Sequence, residues 1–153
     1  MGDELSHVDE RGQVRMVDVG DKKPMRRRAV AEGCFCAAEK TLNLLEAGDL
    51  PKGEALAAAR LAGIMAAKRC DELIPLCHPL ALDAANVEFE RTAPDRLRIT
   101  ATVSIAARTG VEMEALTAVS MAALTLWDMA KAVDKDLRIE GIRLVEKSKE
   151  SAM

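Results

Sequence analysis

Aromatic side chains are almost missing from this chain: among 153 residues there are one Trp, two Phe and no Tyr. Exposed bases would find no platform to stack on, which argues against a single-strand nucleic-acid binder. Charge of one sign is lacking too. The 22 Lys and Arg face 25 Asp and Glu, so attraction of bulk charge to nucleic acid or to a membrane surface is excluded. No apolar run approaches the roughly 20 residues that span a bilayer. The start, Met1-Gly-Asp-Glu-Leu, has neither the basic nor the apolar stretch of a secretion signal. The expected location is the cytoplasm. There Cys34, Cys36, Cys70 and Cys77 are expected as reduced thiols rather than a disulfide framework. Metal-ligand spacings are absent as well, leaving Cys34-x-Cys36 as the single lead toward zinc. Without a Gly-rich phosphate loop, any phosphate must be met by dispersed cations, for which Lys22, Arg27, Lys52, Lys131 and Lys147 are candidates.

What is present reads as one domain over residues 1–153. Residues 1–29 are charged and irregular, with a turn signal at Asp9–Gly12 and a basic run Arg26–Arg28, and suggest an arm able to move. A strand is expected over Val30–Ala37 and a short helix over Glu39–Ala47, stopped by Gly48. An Ala- and Leu-rich helix follows over Gly53–Leu73, with small residues at Ala59, Gly63 and Ala66 that invite close packing. Pro75 and Pro79 hold Ile74 and His78 extended, so Leu73–Pro79 is a stiff strip outside the helix. Asn86–Arg91 and Leu97–Ala106 alternate around Thr92-Ala-Pro-Asp95, a hairpin with a turn of about four residues. A long helix over Val111–Val133 and a strand over Arg138–Glu146 complete the pattern. This order fits an α+β ferredoxin-like sandwich, an antiparallel sheet with helices on one face.

The long helix carries no charge among the thirteen residues between Glu114 and Asp128. One sheet face cannot bury a helix that is apolar nearly all round, so a homo-oligomer is expected. Asp128 and Lys131 are neighbours at i,i+3, and Glu114 lies about four turns earlier on roughly the same side. The stripe can be an acid/base site or an ordinary surface ion pair. His78, held before Pro79, suits proton transfer or contact with an anion, though a single His is often structural. Cys77 beside it invites a thiol mechanism, but in an extended strip the two side chains point apart and cannot form a nucleophile and base pair.

Six strings, Met16-Val-Asp-Val19, Ala59-Arg-Leu-Ala-Gly-Ile64, Ala66-Ala-Lys-Arg69, Leu73-Ile-Pro-Leu-Cys-His-Pro-Leu80, Thr109-Gly-Val-Glu-Met-Glu-Ala-Leu-Thr-Ala118 and Asp128-Met-Ala-Lys-Ala-Val133, resemble the MoaC family of molybdenum cofactor biosynthesis and extend over nearly the whole chain. The resemblance implies a lyase that converts 3′,8-cyclo-7,8-dihydro-GTP to cyclic pyranopterin monophosphate and releases diphosphate. It implies a pocket wall of Leu76, Cys77 and His78 and a second binding segment at Met113 and Glu114, with Asp128 as the residue assigned catalysis. Lys52, Lys131 and Glu112 fall at motif positions linked to the site, Lys22, Arg27 and Lys147 match triphosphate contacts, and Asp18 an arm contact. On this basis Lys52 and Lys131 are the expected acid and base groups, with Asp128 setting their charge. No resident cofactor is implied, although a Mg²⁺ could accompany the triphosphate. The family is hexameric, a trimer of dimers with sites at the dimer interface. The tail Lys147-Ser-Lys-Glu-Ser-Ala-Met153 departs from the Gly-rich ending of many members, which leaves tail contacts to phosphate unsupported. Two other readings stay open on the same residues: a thiol-dependent transferase using Cys77, and a non-catalytic assembly protein.

Overall fold

The computed structural model describes residues 5–152. Four strands and four helices follow one another as β1 (Met25–Cys36), α1 (Glu39–Ala47), α2 (Ala55–Lys68), α3 (Cys70–Leu73), β2 (Ala84–Ala93), β3 (Arg96–Ala107), α4 (Glu112–Ala130) and β4 (Arg138–Ser151). The sheet order is β2-β3-β1-β4, with each neighbouring pair antiparallel. This is the ferredoxin-like α+β arrangement expected from the order of elements.

Period-2 burial builds one half of the core. Leu97, Ile99, Ala101, Val103 and Ile105 of β3 are all buried, as are Ala29, Ala31 and Phe35 of β1. The other half is the helical stripe Ala115, Ala118, Val119, Ala122, Ala123, Leu126 and Ala130 on α4, spaced at three and four residues. The small residues of α2 do what their spacing suggests. A Cβ at Gly63 would lie 2.9 Å from the Ala118 carbonyl oxygen and 3.0 Å from a Val87 methyl, so α2 touches α4 backbone to backbone there.

Several boundaries differ from expectation for identifiable reasons. The arm is shorter, because Met25–Ala29 belong to β1, where both backbone edges are paired, to β3 and to β4. The charged Arg26–Arg28 run is tolerated because long guanidinium side chains reach solvent from a paired strand. Residues 1–4 of the expected arm lie outside the described residues. Within it, the Asp9 carboxylate accepts the N–H groups of Arg11 and Gln13 at 2.9 Å each, fixing the turn read at Asp9–Gly12. The Ala-rich helix breaks at Arg69 (φ −116°, ψ 21°), and α3 then turns Cys70 inward to Thr117. The hairpin turn is only Pro94-Asp95, since Thr92 bulges and pairing resumes at Ala93 with Arg96. β4 runs on to Ser151 because its backbone finds β1 up to Met25.

α1 has no side-chain cap of its own. Asp134, just beyond α4, replaces one. Its Oδ2 accepts the Ala38 N–H at 2.9 Å and the buried Thr41 hydroxyl at 2.8 Å. Large apolar side chains remain outside the core: Leu61 and Met65 on α2, Leu124 and Trp127 on α4, and Ile142, Leu144 and Val145 on β4. Among the described residues no helix is long and apolar enough to cross a membrane.

Candidate active site

After α3 the chain can no longer be helical, because Ile74 is extended (φ −111°, ψ 110°) ahead of Pro75. The strip then turns, with the Cys77 N–H donating to the Ile74 carbonyl at 3.1 Å. That turn overrides the strict alternation of an extended strip, and Leu76, Cys77 and His78 all border one cavity of about 380 Å³. The thiol and imidazole still do not pair. Cys77 receives a weak contact from the Cys70 thiol at 4.0 Å, while His78 Nε2 lies 2.6 Å from the Val17 carbonyl. A carbonyl oxygen only accepts, so Nε2 carries the proton and ties the arm to the pocket wall. Burial pushes the Cys70 thiol up to about 12 and raises that of Cys77 as well. Cys77 is thus a neutral thiol near pH 7 and a poor nucleophile.

The facing wall is the first turn of α4, where Glu112, Met113 and Glu114 border the same cavity. Carboxylates are favoured there by the unpaired N–H groups of a helix start. Glu114 is only 4% exposed, and burial raises its pKa against a backbone hydrogen bond that lowers it. Glu112 goes the other way. Burial pushes its carboxyl up, but the Lys147 ammonium, a backbone hydrogen bond and the nearby Arg27 charge outweigh that and hold it below the ordinary value. The Lys147 Nζ to Glu112 Oε1 distance is 2.5 Å.

Of the expected phosphate contacts, one borders the cavity and two, Lys147 and Arg27, stand next to its Glu112 wall without lining it. Lys22 lines the cavity from the arm. Lys147 reaches it through Glu112, and Arg27, on the neighbouring strand, directs its guanidinium at the Ala107 and Arg108 carbonyls at 3.4 and 3.3 Å. Asp18 stands apart, its carboxylate accepting the Gly20 N–H at 2.8 Å instead of lining the cavity. Ser6, His7, Val17, Val19, Leu80, Thr109 and Gly110 also line it, although none is among the site residues expected from the sequence. Their available signal was the Val-x-Val pair in an otherwise polar arm and the Thr-Gly breaker ahead of α4.

Lys52, Asp128 and Lys131 form a second cluster. Lys52, in the tight turn bridged by Leu50 and Gly53, places Nζ 2.8 Å from Asp128 Oδ2, and Lys131 Nζ is 2.8 Å from Oδ1. Hydrogen bonds first from Lys131 and then from Lys52 bring the Asp128 carboxyl down to about 2. One carboxylate thus holds two ammonium groups side by side, an arrangement in which one can give up a proton while the other keeps the carboxylate paired. This cluster does not border the His78 cavity of its own chain. Glu114 and Asp128 are fourteen residues apart on α4, which is about 21 Å along the axis.

Cys34 and Cys36 lie 3.6 Å apart, and among the described residues no group of three or more His, Cys, Asp or Glu is placed to hold a metal ion.

Fold and site together define a ferredoxin-like protein with a cavity bordered by His78, Lys22, Glu112 and Glu114 at the start of its long helix and a Lys-Asp-Lys cluster at the end. The chain belongs to the MoaC family, whose model matches residues 16–150. It is 57% identical over 144 residues to the cyclic pyranopterin monophosphate synthase of Novosphingobium aromaticivorans, covering 94% of this chain and 91% of that one. A Mycobacterium bovis relative named cyclic pyranopterin monophosphate synthase 3 is 56% identical, covering 94% and 81%. The Chloroflexus aggregans cyclic pyranopterin monophosphate synthase is 57% identical, covering 95% and 88%.

Proposed function

We propose that this chain is a lyase of molybdenum cofactor biosynthesis that converts 3′,8-cyclo-7,8-dihydro-GTP to cyclic pyranopterin monophosphate and releases diphosphate, acting in the cytoplasm. The observation that carries this, beside the kinship, is the cavity itself. At about 380 Å³ it falls in the range of small-molecule sites, with His78 and Glu114 for the heterocycle and Lys22, Arg27 and Lys147 for the phosphates. Cyclising a phosphate with loss of diphosphate builds negative charge on the leaving oxygens, which clustered cations neutralise. Opening and rebuilding the ring system needs protons moved at neighbouring centres. Lys52 and Lys131 are the acid and base groups, and Asp128 holds them side by side through an ion pair on each of its oxygens. No resident cofactor enters, and a Mg²⁺ can arrive on the triphosphate.

A substrate held at His78 is out of reach of the Lys-Asp-Lys cluster of the same chain, at about 21 Å along α4. Proton transfer needs hydrogen-bond distance. The reading therefore requires a homo-oligomer in which the end of one α4 meets the start of another, and the assembly we propose is a hexamer built as a trimer of dimers. The exposed Leu124 and Trp127 beside Asp128 support such a contact. Incubating the purified protein with the cyclic dihydro-GTP should release diphosphate in step with the pterin product. A folded protein that releases none would end this reading. Mixing inactive Asp128→Asn and inactive His78→Ala chains, unfolding and reassembling them should restore part of the activity. No recovery in a mixed oligomer would refute a site shared between chains.

A further inference from the structure

Glu112 is an anion in a place that the proposed function reserves for anions. Its Oε1 lies 2.5 Å from Lys147 Nζ, a cation that the proposed function assigns to the phosphates, and the Arg27 charge also acts on it. Its carboxyl is held below the ordinary value, so it is charged at neutral pH. A phosphate that binds Lys147 competes with this carboxylate for the ammonium. Two anions held on one ammonium repel each other, so a phosphate on Lys147 is opposed for as long as Glu112 stays there.

The chain also contains the space that lets Glu112 sit there. At Gly110 a Cβ would fall 2.2 and 2.6 Å from the two Glu112 carboxylate oxygens, far inside contact distance. No other residue crowds that position within 4 Å more closely than this one carboxylate. The folded-back Glu112 and the missing side chain at 110 are therefore one device.

Resting on the reading of the rim as a phosphate site, we propose that Glu112 is an anionic stand-in on Lys147, displaced when a substrate phosphate binds, and that Gly110 makes the room it occupies. While the site is empty, the carboxylate holds Lys147 in place and keeps weak anions off it. Only a ligand with several phosphate charges, spread over Lys22, Arg27 and Lys147, outcompetes it. The device discriminates by charge: the triphosphate enters, and singly charged anions do not.

The same geometry supplies two independent ways to evict the stand-in. Glu112→Gln removes its charge. Gly110→Ala leaves the charge but pushes the carboxylate off Lys147, and since the clash is with the mobile end of a side chain and Gly110 needs no left-handed backbone, the fold should tolerate it. Titrating inorganic diphosphate and inorganic phosphate into the full-length protein by calorimetry, with and without Mg²⁺, tests the idea. Losing a competing exposed ion pair should tighten diphosphate binding on the order of 2- to 5-fold in each variant. The double variant should gain no more than either single one. Lys147→Ala should weaken binding and abolish the gain from Glu112→Gln. Unchanged or weaker diphosphate binding by Glu112→Gln would overturn the proposal, and weakening seen only with Mg²⁺ would instead make Glu112 a partner of the bound metal. Wild-type protein that turns over cyclic dihydro-GTP while Glu112→Gln shows no gain would sink the stand-in alone. Absence of turnover in the wild type would sink the broader functional reading.

Discussion

Replacing Asp134 by Ala tests how a residue outside the site holds part of it in place. The Asp134 carboxylate accepts from the Ala38 N–H, from the Thr41 hydroxyl and, through its other oxygen, from the Asp136 N–H at 2.9 Å. The variant removes the cap of α1, which costs about 0.5–2 kcal/mol. It also leaves the fully buried Thr41 hydroxyl without its acceptor, a further loss of about 1–3 kcal/mol. Together about 1.5–5 kcal/mol should be lost, and at this chain length that lowers the melting midpoint by roughly 3–20 °C. Urea unfolding of both proteins at equal concentration measures it, and Thr41→Val in the Asp134→Ala background should recover part of the loss. The pH dependence follows from the same donors. Burial raises the Asp134 carboxyl, but the bonds from Ala38, Asp136 and Thr41 outweigh it and leave it below the ordinary 3.8. A depressed pKa contributes stability above the unfolded value and loses it as pH falls through the folded one. The gap between wild type and variant should therefore be full near neutral pH and close below about pH 3.8. A difference under about 0.5 kcal/mol at pH 7, or one that persists undiminished in acid, would refute the capping role. Because α1 leads into the turn that carries Lys52, turnover should fall as well.

Asp128→Asn should lower turnover on the order of 100- to 10,000-fold while the protein still assembles, since a neutral amide no longer pairs with both ammonium groups and holds them side by side; a loss under about 10-fold would show that the pairing at Asp128 is not needed for proton transfer. Cys77→Ala should retain most of its activity, because a thiol raised by burial is no nucleophile; abolished turnover in a folded variant would revive the thiol mechanism. Gly63→Ala should cost about 1–3 kcal/mol in urea unfolding by forcing α2 away from the Ala118 carbonyl, and a neutral effect would show that the two helices are not in backbone contact.

Much of the fold follows from local patterns. The α1 boundaries, Glu39–Ala47 with Gly48 in the left-handed region (φ 77°), are as read from the breaker alone. The alternation of β3 and the stripe of α4 name the core because a period of 2.0 or 3.6 puts every buried residue on one side. What local pattern misses are the places where tertiary pairing overrides it. Arg26–Arg28 read as a charged arm and became a central strand. An unbroken Ala-rich helix was interrupted at Arg69 so that Cys70 could be buried. The missing cap of α1 came from a residue nearly a hundred positions away.

For the site the division is similar. From its residues alone, this sequence determined the candidate chemistry: which side chains carry protons or charge, that Cys77 and His78 do not form a pair, and, through its motifs, the family. Only the tertiary structure decided their grouping. It gathered Lys22, Glu112, Glu114 and His78 around one cavity, brought Lys147 and Arg27 close to Glu112 from adjacent strands, and set Lys52 beside Asp128 across 76 positions of chain. It also put about 21 Å of helix between the two clusters. The physical reason is that residue type and spacing fix what a group can do and which side of its own element it occupies. Which elements meet is settled by burial and backbone pairing between distant parts of the chain.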